Sequence, residues 1–446
     1  MKDNIREIVS DTLVAIDVEG RKSHLVIKDV LTKYDYLDAR DKAFYKRVCE
    51  GTIASKITLD YVLDKYSKKP MEKCKPFVRA ILRMSAYQIL FMEKIPDSAV
   101  IDEAVKLCRK RSFEEFCPFV NAVLRNLAKG GSALLDFSDI EDDTTRLSVQ
   151  YSCPLHIVRM FKKEQKDAEA ILKGMAQIHL TSVKILSDEE EILKLWEKAG
   201  IRYRRSELVM GAYLIEGFEG MEALPGFLEG KILVQDESSM MASLATGIND
   251  ESDLTVIDVC AAPGGKTSFV ASMMKGKGHV LSLDVSDRKV SLIQENVERM
   301  NLSNVEPMVF DATVFNPEWE GMADVLIADV PCSGLGVMAR KSDIKYNVTN
   351  ESMKEICDLQ KKIILNVSKY VKKGGVLIYS TCTIHKAENE KMVKFIEENL
   401  PFKGDSIKPY VPSLFMTDRP CEYAVQILPS TEGCDGFFVS RFIKTE

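Results

Sequence analysis

The 446-residue sequence predicts an α/β protein: a mostly parallel sheet covered by helices on both faces, preceded by an all-α front and a small α/β unit between the two. Three observations predict it. Apolar residues recur at helical spacing from residue 3 to 128, short apolar runs alternate with amphipathic stretches from Gly230 onward, and those runs end in aspartate or in a glycine-rich turn. Such alternation builds parallel strands joined by crossover helices, and ligands collect outside the carboxyl ends of the strands.

In the front, Leu59, Val62, Leu63 and Tyr66 share one helical face, as do Val78, Ile81, Leu82 and Tyr87, and then Val100, Ala104, Val105 and Cys108. Gly51, Pro70, Pro76, Pro96 and Pro118 cut the pattern into helices of ordinary length. The periodicity fades in KGGSALLDFSDIEDD (129–143), which reads as a linker, so the all-α domain is expected over 1–140. A linking domain follows over 144–228, with helices at 154–175 and 188–199 and strands at 180–186 and 212–215. The third domain, 229–446, runs LTVIDV (254–259), a helix after Thr267, HVLSLD (279–284), a helix over 287–300, NVEPMVFDA (304–312) and ADVLIAD (323–329). It continues with a helix over 352–371, GGVLIYS (374–380), a helix from Ala387 and two terminal strands.

Composition narrows the class. With 46% hydrophobic and 29% charged residues the chain has the make-up of a water-soluble protein, and no run approaches the roughly 18 apolar residues that span a bilayer. The amino terminus, MKDNIREIVSDTLVAID, mixes charge signs and lacks a signal-peptide core, so a cytoplasmic protein without a membrane role is expected. Eleven cysteines lie scattered without a C-x-x-C pair and do not join the five histidines at ligand spacing, which predicts reduced thiols and no metal. Residues 1–130 hold 25 Lys and Arg against 19 Asp and Glu, a balance of +6, while the remainder holds 36 against 48, or −12. A basic front on an acidic protein is compatible with a nucleic-acid partner.

The candidate site lies along the strand ends. VIDVCAAPGGKTS (256–268) places Gly264 and Gly265 at the start of a helix, where free amides suit a polar or anionic ligand. Gly-Lys-Thr invites a P-loop reading, but Cys260 stands where that motif requires its first glycine, and G-x-G-x-x-G is absent. Asp284 closes the next strand 19 residues after Gly265, where a doubly wound sheet sets an acid against ribose hydroxyls. Asp311 and Asp329 end the following two strands. Asp258 could anchor the turn or serve structure alone, and Lys266 could meet a cofactor or a carboxylate. Cys332 in DVPCSGLGV (329–337) and Cys382 in IYSTCTIHKAENE (378–390) each sit just beyond a strand end. The two thiols leave open a disulfide, a metal pair or a catalytic pair, and neither has a sequence-local ligand partner that would favour metal. His385 reads as a solvated loop residue, and Glu388, Asn389 and Glu390 as the acidic first turn of a helix.

CAAPGGKT (260–267), DVPCSG (329–334), STCT with AENE (380–383 and 387–390), DIKY (343–346) and CDGFFVSRF (434–442) resemble the motifs of RNA 5-methylcytosine methyltransferases. The front resembles the RNA-binding antitermination factor NusB, most clearly in FVNAVLRN (119–126). Together they are similar to the RsmB (Sun, Fmu) family, which modifies 16S ribosomal RNA. The resemblance implies a Rossmann-like class I methyltransferase sheet, a NusB-like RNA-binding domain and a ferredoxin- or RRM-like linking domain. It implies S-adenosylmethionine held by Cys260, Ala261, Ala262, Pro263, Gly264, Gly265, Lys266, Asp284, Asp311 and Asp329. It further implies Cys382 as a thiolate adding to C6 of cytosine, Asp329 at the N3 and N4 edge of the base, and Cys332 assisting release. The implied substrate is a single-stranded or looped cytosine of 16S ribosomal RNA, and the implied state a monomer. Lys341 and Ser342 depart from the family's His-Pro, Tyr346 from its tryptophan, and Ser182, Val183 and Lys184 from its Arg-Val-Asn. Other readings are a transfer RNA 5-methylcytosine methyltransferase, an NTPase suggested by GGKT, and a non-enzymatic RNA-binding or antitermination factor.

Overall fold

The computed structural model describes residues 4–177, 180–416, 420–429 and 434–446. It forms two compact units, one taking the chain to Ala176 together with Arg340–Asn347, the other taking Gln177–Ala339 and Val348–Glu446.

The first unit is helical: α1 (Ile5–Glu19), α2 (Ser23–Lys33), α3 (Ala39–Ala54), α4 (Lys56–Asp64), α5 (Pro76–Phe91), α6 (Asp97–Lys110), α7 (Cys117–Gly130), α8 (Asp143–Gln150), α9 (Leu155–Glu164) and α10 (Ala168–Met175). Asn4, Asp38, Asp142 and Asp167 cap α1, α3, α8 and α10 with side-chain oxygens, and Pro76 opens α5 where a missing N–H does no harm. α5 packs against α1, α3, α4, α6 and α7 and buries Val78, Ile81, Leu82 and Met84 completely, each burial stabilising by roughly 1.5–3 kcal/mol. Charges are paired inside this unit as well. Burial alone would raise the Asp17 carboxyl, but Lys56, Arg83 and Arg79 outweigh it and hold the group at about 2.

The DIKY stretch belongs to this unit. It lies in and just before a short helix, α15 (Ile344–Asn347). Asp343 accepts the Ser23 N–H at 2.7 Å at the start of α2, Lys345 donates to the Ala54 carbonyl at 2.8 Å, and the Tyr346 hydroxyl lies 3.0 Å from that of Ser152. Burial lowers the Lys345 ammonium to about 8. The stretch expected as one linking domain, 144–228, is divided: α8 to α10 fall in the helical unit, and its strands fall in the second.

The second unit opens with an antiparallel sheet of β1 (Thr181–Ile185), β2 (Arg202–Arg205), β3 (Ala212–Glu216) and β4 (Ile232–Val234) in the order β2-β3-β1-β4, with α11 (Glu189–Lys198) packing Ile192 and Trp196 into its core. After α12 (Glu237–Leu244) comes the main sheet: β5 (Thr255–Asp258), β6 (His279–Asp284), β7 (Val305–Val309), β8 (Ala323–Asp329), β9 (Val371–Thr381), β10 (Phe402–Gly404), β11 (Ala424–Ile427) and β12 (Phe437–Lys444). The order is β10-β12-β9-β8-β5-β6-β7, with β11 paired to β12. Strands β5 to β9 are mutually parallel, and β12 runs antiparallel to β9. Crossovers α13 (Gly265–Met273), α14 (Asp287–Arg299) and α16 (Asn350–Val367) connect them, and α17 (Glu390–Asn399) follows β9. The chain moves outward from β5 through β6 to β7, then returns to place β8 on the other side of β5. That reversal is the switch point where open α/β sheets bind ligands.

Candidate active site

Five parallel strand ends converge around the switch point. After β5 the turn 259–264 is tied to its neighbours: the Val259 N–H donates to the Ile327 carbonyl at 3.0 Å and the Ala261 N–H to the Leu283 carbonyl at 2.9 Å. Gly264 then adopts φ +100°, a left-handed conformation that costs a glycine little, and α13 begins with its free amides at the site. Asp284, at the end of β6, is 3% exposed and braces the turn, accepting the Ala262 N–H at 3.0 Å on Oδ2 and the Val285 N–H and Lys289 ammonium at 2.7 and 2.8 Å on Oδ1. Asp311 lies two residues beyond β7, is exposed, and takes the Thr313 N–H at 2.8 Å, which lowers its carboxyl.

Asp258 lies wholly inside, at the end of β5. Its Oδ2 accepts from the Thr267 hydroxyl at 2.8 Å, and burial raises the carboxyl to about 7. It anchors α13 from beneath. Burial likewise pushes the Cys260 thiol well up.

On the other side of β5, Asp329 closes β8. Lys266 of α13 reaches its Oδ2 at 2.6 Å and the Ser239 hydroxyl at 2.8 Å, and Ser380 of β9 donates to Oδ1 at 2.9 Å. Three residues beyond β8 stands Cys332, one beyond β9 stands Cys382, and their sulfurs are 3.2 Å apart. Both cysteines are half-buried residues. The contact with Cys382, with burial added, raises the Cys332 thiol well above its ordinary value. The loops carrying them run against each other. Gly336 donates its N–H to the Cys382 carbonyl at 3.0 Å, and a Cβ there would fall 2.8 Å from that oxygen and on the Gly436 carbonyl, so only glycine fits.

Two expectations need correction. His385 is not solvated: it is 9% exposed and its Nδ1 lies 3.1 Å from Glu388 Oε1. Glu388 and Asn389 are not an acidic helix turn. Both are fully buried, and α17 starts only at Glu390. Asn389 turns inward to accept from Thr381 at 2.6 Å and donate to Gln426 at 2.7 Å, while Glu388 Oε2 accepts from the Ser333 N–H at 2.8 Å and from Gln360 at 3.0 Å. Ser239, Gln235 and Gln360 join the site without any motif that marks them, and Ser380 of STCT takes a role toward Asp329 that the motif alone does not announce. Ser239 and Gln235 belong to VQDESS (234–239), a polar run at the end of a strand that could have drawn attention. Gln360 sits unmarked inside a long helix. Among the described residues no cluster of three or more His, Cys, Asp or Glu is placed to hold a metal, and no helix is long and apolar enough to cross a membrane.

The model of the 16S rRNA methyltransferase RsmB/F family matches residues 245–443, and that of the NusB family matches residues 3–129. Across 99% of both chains the protein is 36% identical to the probable ribosomal RNA small subunit methyltransferase B of Bacillus subtilis (strain 168). The chain belongs to the RsmB family of 16S rRNA methyltransferases. Another RsmB relative, the ribosomal RNA small subunit methyltransferase B of Proteus mirabilis (strain HI4320), is 27% identical, again over 99% of both chains. Of solved structures, the crystal structure of PH0851 superposes with a TM-score of 0.81 at 24% identity over 100% of both chains. That of NSun6 from Pyrococcus horikoshii with SFG gives 0.57 at 20% identity, covering 66% of this chain and 98% of that one. At those identities the likeness is one of fold.

RsmB methyltransferases depend on S-adenosylmethionine, and the residues at the switch point fit it. Among the described residues Asp284 Oδ2 accepts one hydrogen bond, from Ala262 N–H, and can accept another, from a ribose hydroxyl. Among the described residues Gln235 Oε1 is buried without a partner, and its amide lies beside Gly265 at the opening of α13, where an ammonium would satisfy it.

Proposed function

We propose that this chain methylates C5 of a cytosine in 16S ribosomal RNA through a transient bond between Cys382 and C6 of the ring. The observation that carries the reading is the 3.2 Å contact of two thiols on half-buried residues beside the Lys266–Asp329 ion pair, all at one sheet edge.

Cytosine C5 is a weak nucleophile. Addition of the Cys382 thiolate to C6 pushes electron density through the ring to C5 and replaces one difficult step by two easier ones. Asp329 accepts the N4–H of the base, and the adjacent Lys266 ammonium balances charge that builds toward N3. Bound S-adenosylmethionine supplies an electrophilic methyl group for C5. The C5 proton then passes to water, the electrons of the C5–H bond re-form C5=C6, and the C6–S bond breaks with its electron pair returning to Cys382. Cys332, whose thiol is held protonated by its contact with Cys382 and by burial, hydrogen-bonds the departing sulfur and eases release. The turn 260–266, Asp284, Asp311 and Asp329 line the donor side of this reaction. The cytosine must leave its stack to reach the two sulfurs, which favours loops and single strands.

The test is transfer of labelled methyl groups to 16S ribosomal RNA followed by nucleoside analysis. Label in 5-methylcytidine is the expected result, and label confined to ribose or to another base position would refute the reading.

A further inference from the structure

The two peptide groups that flank Cys332 are both held by side chains from outside its own loop. The carbonyl of Pro331 accepts from Gln360 Nε2 at 2.9 Å, and the N–H of Ser333 donates to Glu388 Oε2 at 2.8 Å. Gln360 and Glu388 are themselves joined, Nε2 to Oε2, at 3.0 Å. Neither is accessible to solvent: both are 0% exposed. The pair is braced in turn, since the Tyr379 hydroxyl donates to the Glu388 carbonyl at 2.6 Å and His385 Nδ1 lies 3.1 Å from Glu388 Oε1. The buried Glu388 side chain thus meets polar groups on every side, accepting from Ser333 and Gln360 and lying against His385 Nδ1.

We propose that Gln360 and Glu388 are positioning residues that set where the Cys332 sulfur stands relative to Cys382. They touch neither thiol directly. Glu388 grips the backbone on the carboxyl side of Cys332, Gln360 grips it on the amino side, and Glu388 lies six residues beyond Cys382 on the second thiol's own loop. Side-chain angles of a residue whose flanking peptides are fixed have little room to wander, so Cys332 is pointed at its partner before substrate arrives. Cys382 depends on this clamp far less, because strand pairing of β9 with β8 and β12 already fixes the backbone up to Thr381.

The inference rests on the role given above to Cys332 in release, and it predicts an asymmetry. Loosening the clamp should spare attack by Cys382 and slow release. Glu388→Leu removes the oxygen that accepts from both Ser333 and Gln360 while keeping much of the volume, and Gln360→Met removes the hold on Pro331 while keeping the volume. Each variant, with Cys332→Ala and the unaltered protein, is incubated with 16S ribosomal RNA and S-adenosylmethionine. Multiple-turnover methylation is compared with the amount of denaturation-resistant protein–RNA complex, and alkylation of each thiol by iodoacetamide is followed by mass spectrometry. Expected are a ten-fold or greater loss of turnover in both clamp variants, a rise in trapped complex, and a change of at least three-fold in the Cys332 alkylation rate with that of Cys382 unchanged. Equal loss of attack and release, or unchanged Cys332 reactivity in both variants, overturns the positioning role. If Cys332→Ala itself traps no complex, the release role fails instead, and the alkylation ratio still decides whether the clamp positions the sulfur.

Discussion

The sulfur of Cys332 lies 3.2 Å from the sulfur of Cys382, although fifty residues of chain separate them. Parallel pairing of β8 with β9 causes this. Asp329 registers with Ser380, so the loops beyond the two strands leave the sheet side by side.

The contact makes each thiol part of the other's environment. Cys382 is the leading cause of the raised Cys332 thiol, so Cys382→Ala should lower it, while burial and the nearby Glu388 and Asp329 keep it above its ordinary value. The thiolate fraction at a given pH then rises. The pH profile of Cys332 alkylation in Cys382→Ala should move to lower pH than in the unaltered protein; a profile that stays in place would contradict this.

Lys266 serves Asp329 as partner and counter-charge at 2.6 Å, with its side chain 9% exposed. In the proposed mechanism Lys266→Met leaves the Asp329 carboxylate without that balance and should lower single-turnover methyl transfer by roughly 100-fold, typical of losing one preorganised electrostatic contact. Lys266→Arg should not restore it, because the planar fork does not reproduce the paired contacts to Asp329 and Ser239.

Asp284 braces the donor turn through the Ala262 N–H and has acceptor capacity left over. Asp284→Ala should weaken S-adenosylmethionine binding by about 10- to 100-fold in calorimetric titration, the effect of losing a hydrogen bond to a charged group. RNA binding in the absence of the methyl donor should be unaffected.

Asp258 gives the protein a pH dependence. Its carboxyl titrates near about 3.9 in an unfolded chain. In the folded protein burial raises it to about 7, so the native state holds the proton more tightly. Stability from this group is therefore complete below about pH 4 and is lost as pH rises through about 7, a difference on the order of 4 kcal/mol across the window. Asp258→Asn should flatten that fall in chemical denaturation between pH 4 and 7. An identical slope would remove Asp258 as its source.

Much of this was legible in the sequence, for identifiable reasons. The apolar face of α5 and the strand cores Val256–Ile257 and Leu326–Ile327 are written in spacing, and the turn 260–266 in its glycines and proline. The edge strand β2 was not visible, because Arg202, Tyr203, Arg204 and Arg205 are mostly exposed and show no apolar alternation. Glu388 and His385 were misjudged because charge and polarity favour solvent by default, and only tertiary structure brings the Ser333 N–H and Gln360 close enough to reverse that preference. The Lys266–Asp329 pair spans 63 residues and joins a helix start to a strand end, a relation that no local pattern encodes.

The most direct test of the account is the identity of the atom that bonds to RNA. A 16S ribosomal RNA substrate carrying 5-fluorocytidine cannot lose its C5 substituent as a proton, so the covalent species should persist after methyl transfer. Digestion and mass spectrometry should then find the nucleotide on the peptide containing Cys382, and Cys382→Ala should yield none. Attachment at Cys332, or methylation that proceeds at the normal rate without Cys382, would contradict the account.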